Sequence, residues 1–299
     1  MLFFLALDLG VFHRRAHVVK FKEALGWTTV WFCLALLFAG ALYCGRGRDE
    51  SLEFLTGYLI ELSLSMDNVF VIALIFSYFR VPSEYQHRVL FWGILGALVM
   101  RGVMIAVGAA LIQRFQWTLY LFGLFLVFTG VKMLFTDEQG VHPEKNPFIR
   151  LAKKLFPVSN ELNGQRFTVK QAAGLALTPL ALVLILVETT DLIFALDSIP
   201  AIFAVTAKPF IVFTSNVFAI LGLRSLYFVL AGAIGLFRYL KYGLSLVLVF
   251  IGVKMLLDPH GDPHWWWQCK IPIGASLLVV VIIILTSILL SVMASRREK

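Results

Sequence analysis

Two acidic strings, ELSLSMDN at 61–68 and DLIFALDS at 191–198, carry most of the potential chemistry of an otherwise strongly apolar chain. They align at an offset of 130 residues: Glu61, Asp67 and Asn68 match Asp191, Asp197 and Ser198, and Glu188 stands one helical turn ahead of Asp191. Carboxylate, amide, hydroxyl and backbone carbonyl are all hard oxygen donors, and no His or Cys stands beside them. Such a set suits Mg²⁺, Ca²⁺ or Mn²⁺ better than Zn²⁺ or Cu⁺. Met66, next to Asp67, adds one soft sulfur that would tilt the choice toward Mn²⁺, although a Met on a membrane helix is more often packing. A carboxylate in mid-membrane costs about 2.5–3.5 kcal/mol, so Glu61, Asp67, Glu188, Asp191 and Asp197 together need an offset on the order of 10–15 kcal/mol. Arg101, Arg224, Lys132 and Lys254 are the candidate charge partners. The alternative to a functional site is that all nine charges simply neutralise one another.

Spacing sets a condition on that site. Six residues along an α-helix are a rotation of about 240°, so Glu61 and Asp67 cannot share a face of one straight helix, nor can Asp191 and Asp197. Asn68 shares the face of Glu61, and Ser198 and Glu188 share the face of Asp191. A break near the second acid of each string would bring both acids to one place. Pro200 frees the carbonyl of Leu196 and is expected to unsettle the helix at Asp197, with Pro179 as an earlier kink. Ser63 and Ser65 can do the same more mildly by bonding to the backbone. Freed carbonyls beside carboxylates make a cation site.

The elements that must position these residues are duplicated. LVFTGVKML at 126–134 returns as LVFIGVKML at 248–256 with a single change, and Arg101 matches Arg224 at an offset of 123. The composition is 60% apolar and 15% charged with a mean hydropathy of +0.86, which defines an integral membrane protein. Apolar runs of spanning length lie near 26–44, 53–79, 89–112, 117–135, 171–197, 210–236, 240–257 and 271–293, and residues 1–12 read as the remainder of a ninth span. The expected fold is an all-α polytopic membrane protein of about nine transmembrane helices. Its divisions are N-terminal helices at 1–51, one repeat at 52–136, a cytoplasmic loop at 137–170, a second repeat at 171–258, and an outer loop with a C-terminal helix at 259–299. Three spans per copy is an odd number, so the two three-helix repeats are inverted.

Of 26 Lys and Arg, 17 fall in one set of alternate connections and 5 in the other, which places the first set and the C-terminus in the cytoplasm and the N-terminus outside. The net charge of +8 is then mostly this asymmetry plus contact with the lipid bilayer, with no aromatic and basic stripe to support a nucleic-acid partner. FIRLAKKLF at 148–156 is amphipathic, and reads either as a piece lying on the inner surface or as a plain charged connector.

Weaker signals remain. Asp8 either joins the site or sits at the surface. Asp258, His260, Asp262 and His264 alternate in an outer loop and could gather a metal outside the membrane, although a Pro-rich turn with Trp265, Trp266 and Trp267 at the interface explains them with less. Glu53 reads as solvated. Cys33, Cys44 and Cys269 make no CxxC, and Cys44 with Cys269 would form a disulfide only if the fold brought them together. HExxH, GxxxxGK[ST] and GxSxG are absent, so neither an enzyme nor a resident cofactor is expected.

ELSLSMDN, VETTDLIFALDSIPAIFAV, the paired Arg101 and Arg224, and FTGVKML resemble the TerC family, most closely its Alx-type bacterial members, over nearly the whole chain. The resemblance implies a nine-span protein of the bacterial inner membrane, within the wider lysine-exporter-like superfamily. It further implies export of Mn²⁺ and similar divalent cations, some relatives being named for tellurite resistance. Glu61, Asp67, Asn68, Asp191, Asp197 and Ser198 fall on that family's two acidic motifs, and Glu188 matches the second. The expected mechanism is alternating access, with protonation of Asp67 or Asp197 discharging the cation. Arg101 and Arg224 would hold the vacated acids. A membrane stress scaffold acting through partners, or an exporter of another cationic solute such as an amino acid, are the competing expectations.

Overall fold

The computed structural model describes residues 21–135, 146–159, 161–171, 174–231, 240–258 and 268–297. Its helices are α1 (Phe21–Arg46), α2 (Arg48–Tyr78), α3 (Ser83–Arg114), α4 (Thr118–Phe135), α5 (Pro147–Leu155), α6 (Pro179–Phe203), α7 (Pro209–Ala231), α8 (Leu240–Leu257) and α9 (Ile273–Arg297). All but the short α5 are long and apolar enough to cross a bilayer, which makes eight spans among the described residues. The remaining element is an antiparallel hairpin, β1 (Thr168–Gln171) with β2 (Gly174–Leu177), in which Thr168 faces Leu177. Asp8, the opening residues 1–12 and the His260 to His264 loop lie outside the described residues.

Local chemistry sets most helix boundaries. Pro179 does not kink a span; it is the first residue of α6, where its missing N–H is no loss, and the Thr178 side chain caps the helix by accepting from Ala181 N. The span expected at 171–197 therefore starts later, because its first residues pair in the hairpin. Nor does the helix end at Asp197. Pro200 sits inside α6, which continues to Phe203, and the Ala204 N–H bonds back to Pro200 O at 3.0 Å. α2 likewise runs unbroken past both of its acids, with Ser63 bonded back to Leu59 O at 2.6 Å.

The helices of 48–135 pack crosswise on those of 179–257: α2 on α7 and α6, α3 on α6 and α7, and α4 on α8. The α4 and α8 pair is the most extensive, and it closes on small residues. Gly123 lies against the backbone of Gly252, and the Ser245 hydroxyl donates to Gly130 O. A Cβ on Gly252 would come within 2.7 Å of Gly123 O and 2.8 Å of Val127 N, both backbone atoms that cannot swing aside. At the 122-residue offset of the repeated nonapeptide, Gly130 corresponds to Gly252 and Gly123 to Ser245. The two contacts are therefore each other's counterparts, and the helices cross antiparallel. Around this crossing Ile60, Leu126, Ala195, Ile199, Val247 and Ile251 form one buried apolar cluster. Large apolar side chains such as Leu37, Val107, Phe128 and Leu285 lie on the outside, where lipid replaces water.

Candidate functional site

α2 and α6 also cross antiparallel, and they do so at the acidic strings. Asn68 Nδ2 donates to Asp191 Oδ1 at 3.3 Å, while Glu61 and Ser198 share Arg101 Nη1, the serine at 3.4 Å. At the 130-residue offset Asn68 corresponds to Ser198 and Glu61 to Asp191, so these contacts too are counterparts. Arg101 reaches the crossing from α3 and is its hub. Its Nε donates to Asp191 Oδ2 at 3.1 Å and its Nη2 to Asp191 Oδ1 at 2.8 Å, a two-pronged pairing, while Nη1 holds Glu61 Oε1. Glu61 is fully buried and Arg101 is 1% exposed. In so dry a place, each charge persists only because the other is present.

The helices being unbroken, the second acid of each string points elsewhere, as the 240° rotation requires. Asp67 and Asp197, with Glu61, Asn68, Ser198, Leu64, Phe194, Met133, Leu244 and Leu248, line a cavity of about 40 Å³. That is room for roughly three water-sized spheres. Two acceptors on residues that line the cavity, Glu61 Oε2 and Asn68 Oδ1, are buried with no donor among the described residues. Such groups cost about 1–3 kcal/mol each unless something satisfies them. The wall thus offers hard oxygens from both copies, with the Thr129 side chain against Asp197 and the charge of Lys132 nearby.

Several expected roles change. One site holding every acid does not form: among the described residues no three His, Cys, Asp or Glu side chains stand close enough together to hold one metal ion. Asp191 belongs to the arginine hub, Asp67 and Asp197 to the cavity wall, and Glu61 to both. Glu188 belongs to neither; its carboxylate rests against α3 in the space a Cβ on Gly96 would occupy. Arg224 does not mirror Arg101. Its Nη2 meets His87 Nε2, and His87 lies 14 residues before Arg101 on α3, about 21 Å along the helix. The reason is register. Glu61 and Arg101 stand 17 and 18 residues from the turn joining α2 to α3, but Asp191 and Arg224 stand 12 and 15 from the turn joining α6 to α7. That relative slip of two residues swings a side chain through about 200°.

Lys254 is buried and donates to Ala204 O at 3.4 Å near the end of α6, away from the acids. Glu53 is not solvated: Thr206 donates to its Oε2 at 2.9 Å and Lys208 Nζ pairs with it at 3.2 Å. Cys44 and Cys269 are both free. The soft sulfur at the cavity is Met133, not Met66, which packs in a neighbouring apolar cluster. Met133 and Thr129 share a face of α4 by their i, i+4 spacing, a signal that the emphasis on the two acidic strings passed over.

A bundle of eight apolar helices with paired charges at its centre is a multi-pass integral membrane protein. Its sequence matches the pattern of the TerC family of integral membrane proteins over residues 47–299, and the chain belongs to that family. It is 53% identical over 293 residues to the Myxococcus xanthus membrane protein STKORF319, covering 98% of this chain and 89% of the relative. It is 48% identical over 307 residues to a protein of Escherichia coli K12 that carries the provisional name of membrane-bound redox modulator Alx, covering 99% and 92%. A Rickettsia bellii membrane protein is 42% identical over 288 residues, covering 96% and 93%. No solved structure matches the chain.

Proposed function

We propose that this protein exports divalent cations, Mn²⁺ foremost, from the cytoplasm across the bacterial inner membrane by alternating access. The observation that carries this reading is the cavity at the α2 and α6 crossing, with Asp67 and Asp197 on its wall and two buried oxygens lacking a donor. Hard oxygens with one thioether favour Mn²⁺ over both Zn²⁺ and Ca²⁺. The repeats 52–136 and 171–258 rock about the small-residue crossing of α4 and α8, and the cation between them is exposed to each side in turn. Protonation of Asp67 or Asp197 removes the charge that holds the cation, so protons serve as counter-ions. Arg101 stays paired with Glu61 and Asp191 throughout, offsetting one of their two negative charges.

Other readings have less support. An amino-acid exporter needs a cationic receptor for the substrate carboxylate, and Arg101 is already engaged by two acids. A redox role, as the relatives' name suggests, lacks paired thiols among the described residues, where Cys33, Cys44 and Cys269 are all free. A scaffold leaves the buried acids without a purpose. The test is reconstitution into liposomes holding a Mn²⁺-quenched dye and a pH dye. Manganese flux with opposed proton flux, abolished by Asp67→Ala or Asp197→Ala, is the expected result; flux unchanged in both variants overturns the reading.

A further inference from the structure

The loop before α6 forms a surface that the transport reading does not use. Asn146 caps α5 by accepting from Phe148 N at 2.9 Å and Ile149 N at 3.3 Å, with Pro147 as the first helical residue, so this nine-residue helix has a defined start. Only Ile149 is buried, in the apolar cluster that also contains Leu180 and Val183 of α6, and it pins α5 beside the first turns of that span. Phe148, Leu151 and Leu155, at i, i+3 and i+7, form an exposed apolar stripe with Phe156 beyond it. Arg150, Lys153 and Lys154 project from the opposite side. After α5 the chain turns into the hairpin: Leu177 N donates to Pro157 O at 2.8 Å, and exposed Arg166, Lys170 and Leu175 extend the same composition. Residues 146–171 carry five basic side chains against the single acid Glu161. Arg88 stacks over Phe167 and ties the platform to the start of α3.

We infer that α5 and the hairpin form a binding surface for anionic phospholipid, with the Phe148, Leu151 and Leu155 stripe entering the boundary of the leaflet and the basic residues engaging its headgroups. The occupant is fixed by tethering and charge. The platform is anchored to the end of a membrane span, so the leaflet is always within reach. An apolar stripe backed by a basic face matches an anionic interface.

The test uses the full chain with Cys33, Cys44 and Cys269 changed to Ser and a nitroxide label at Leu151→Cys, in nanodiscs of phosphatidylcholine or phosphatidylglycerol. In phosphatidylglycerol the label should be shielded from a water-soluble relaxation agent and open to oxygen. In phosphatidylcholine, or with Arg150, Lys153 and Lys154 changed to Glu, it should be several-fold more accessible to the water-soluble agent. A label at Val107→Cys, on the outer face of α3, should stay shielded in every sample and so reports that the bundle is intact. A Leu151 label equally accessible in both lipids, or unmoved by the charge reversal while the Val107 label stays shielded, overturns the inference.

Discussion

Arg101 and Arg224 occupy matching places in a duplicated sequence, yet Arg101 binds Glu61 and Asp191 at the centre of the bundle while Arg224 meets His87 near the start of α3. The helices around them keep their counterpart contacts in both crossings. Divergence has therefore entered through the third helix pair, where a register slip of two residues redirected one arginine. A second difference is smaller and more local. The single change between the repeated nonapeptides is Thr129 against Ile251, and Thr129 lies against Asp197 while Ile251 is buried in the apolar cluster. The copies share a frame and differ in which of them supplies chemistry to the cavity.

Removing the two arginines should break that comparison most visibly. Arg101→Met leaves two carboxylates dry and unmatched, a loss of about 3–5 kcal/mol, read as collapse of the monodisperse fraction on mild heating in detergent. Arg224→Met should be milder, about 1–3 kcal/mol. Equal losses would mean that both arginines carry the acids. Next come the matched glycines of the α4 and α8 crossing, where the copies should behave alike: Gly130→Ala and Gly252→Ala each push a Cβ against partner backbone, at about 1–3 kcal/mol in the same assay. A large gap between them would remove the shared pivot.

The nonapeptide difference should act on ligand binding more than on stability. Thr129→Ile makes the two copies identical there and should weaken Mn²⁺ binding several-fold, as read by titration, with stability changed by no more than about 1 kcal/mol. Ile251→Thr should leave binding alone and destabilise by about 1–3 kcal/mol, because a hydroxyl enters an apolar cluster.

The smallest effect belongs to Lys208, between α6 and α7. Desolvation alone would lower its pKa, but hydrogen bonds and charge from Glu53 and Glu50 outweigh that and hold it above the ordinary lysine value of 10.5. A raised lysine stabilises fully below its unfolded value, and the contribution fades as pH climbs through the folded one. Because the side chain is largely exposed, Lys208→Met should cost less than about 1 kcal/mol at neutral pH and nothing in strong alkali.

Much of this was legible in the residues. The eight spans, the duplication and the acidic strings follow from composition and repetition, which a bilayer reads directly. What escaped were features that depend on where helices begin and how they face one another. Pro179 and Pro200 look alike as helix breakers, yet one starts α6 and the other is tolerated inside it near its end. The differing offsets of the arginines and the acids, 123 and 130, carried the register slip, but only helix boundaries convert such a number into a direction. Glu53 is tied down by Thr206 and Lys208, partners more than 150 residues away that no local pattern reveals.

Arg101 is bonded into the chain, so the positive charge between Glu61 and Asp191 cannot leave the bundle as a free cation would. A membrane under voltage pulls on each mobile charge with about 2.3 kcal/mol per 100 mV. A tethered guanidinium holds its one positive charge at a fixed depth, where the voltage can strain the bundle but cannot carry that charge away.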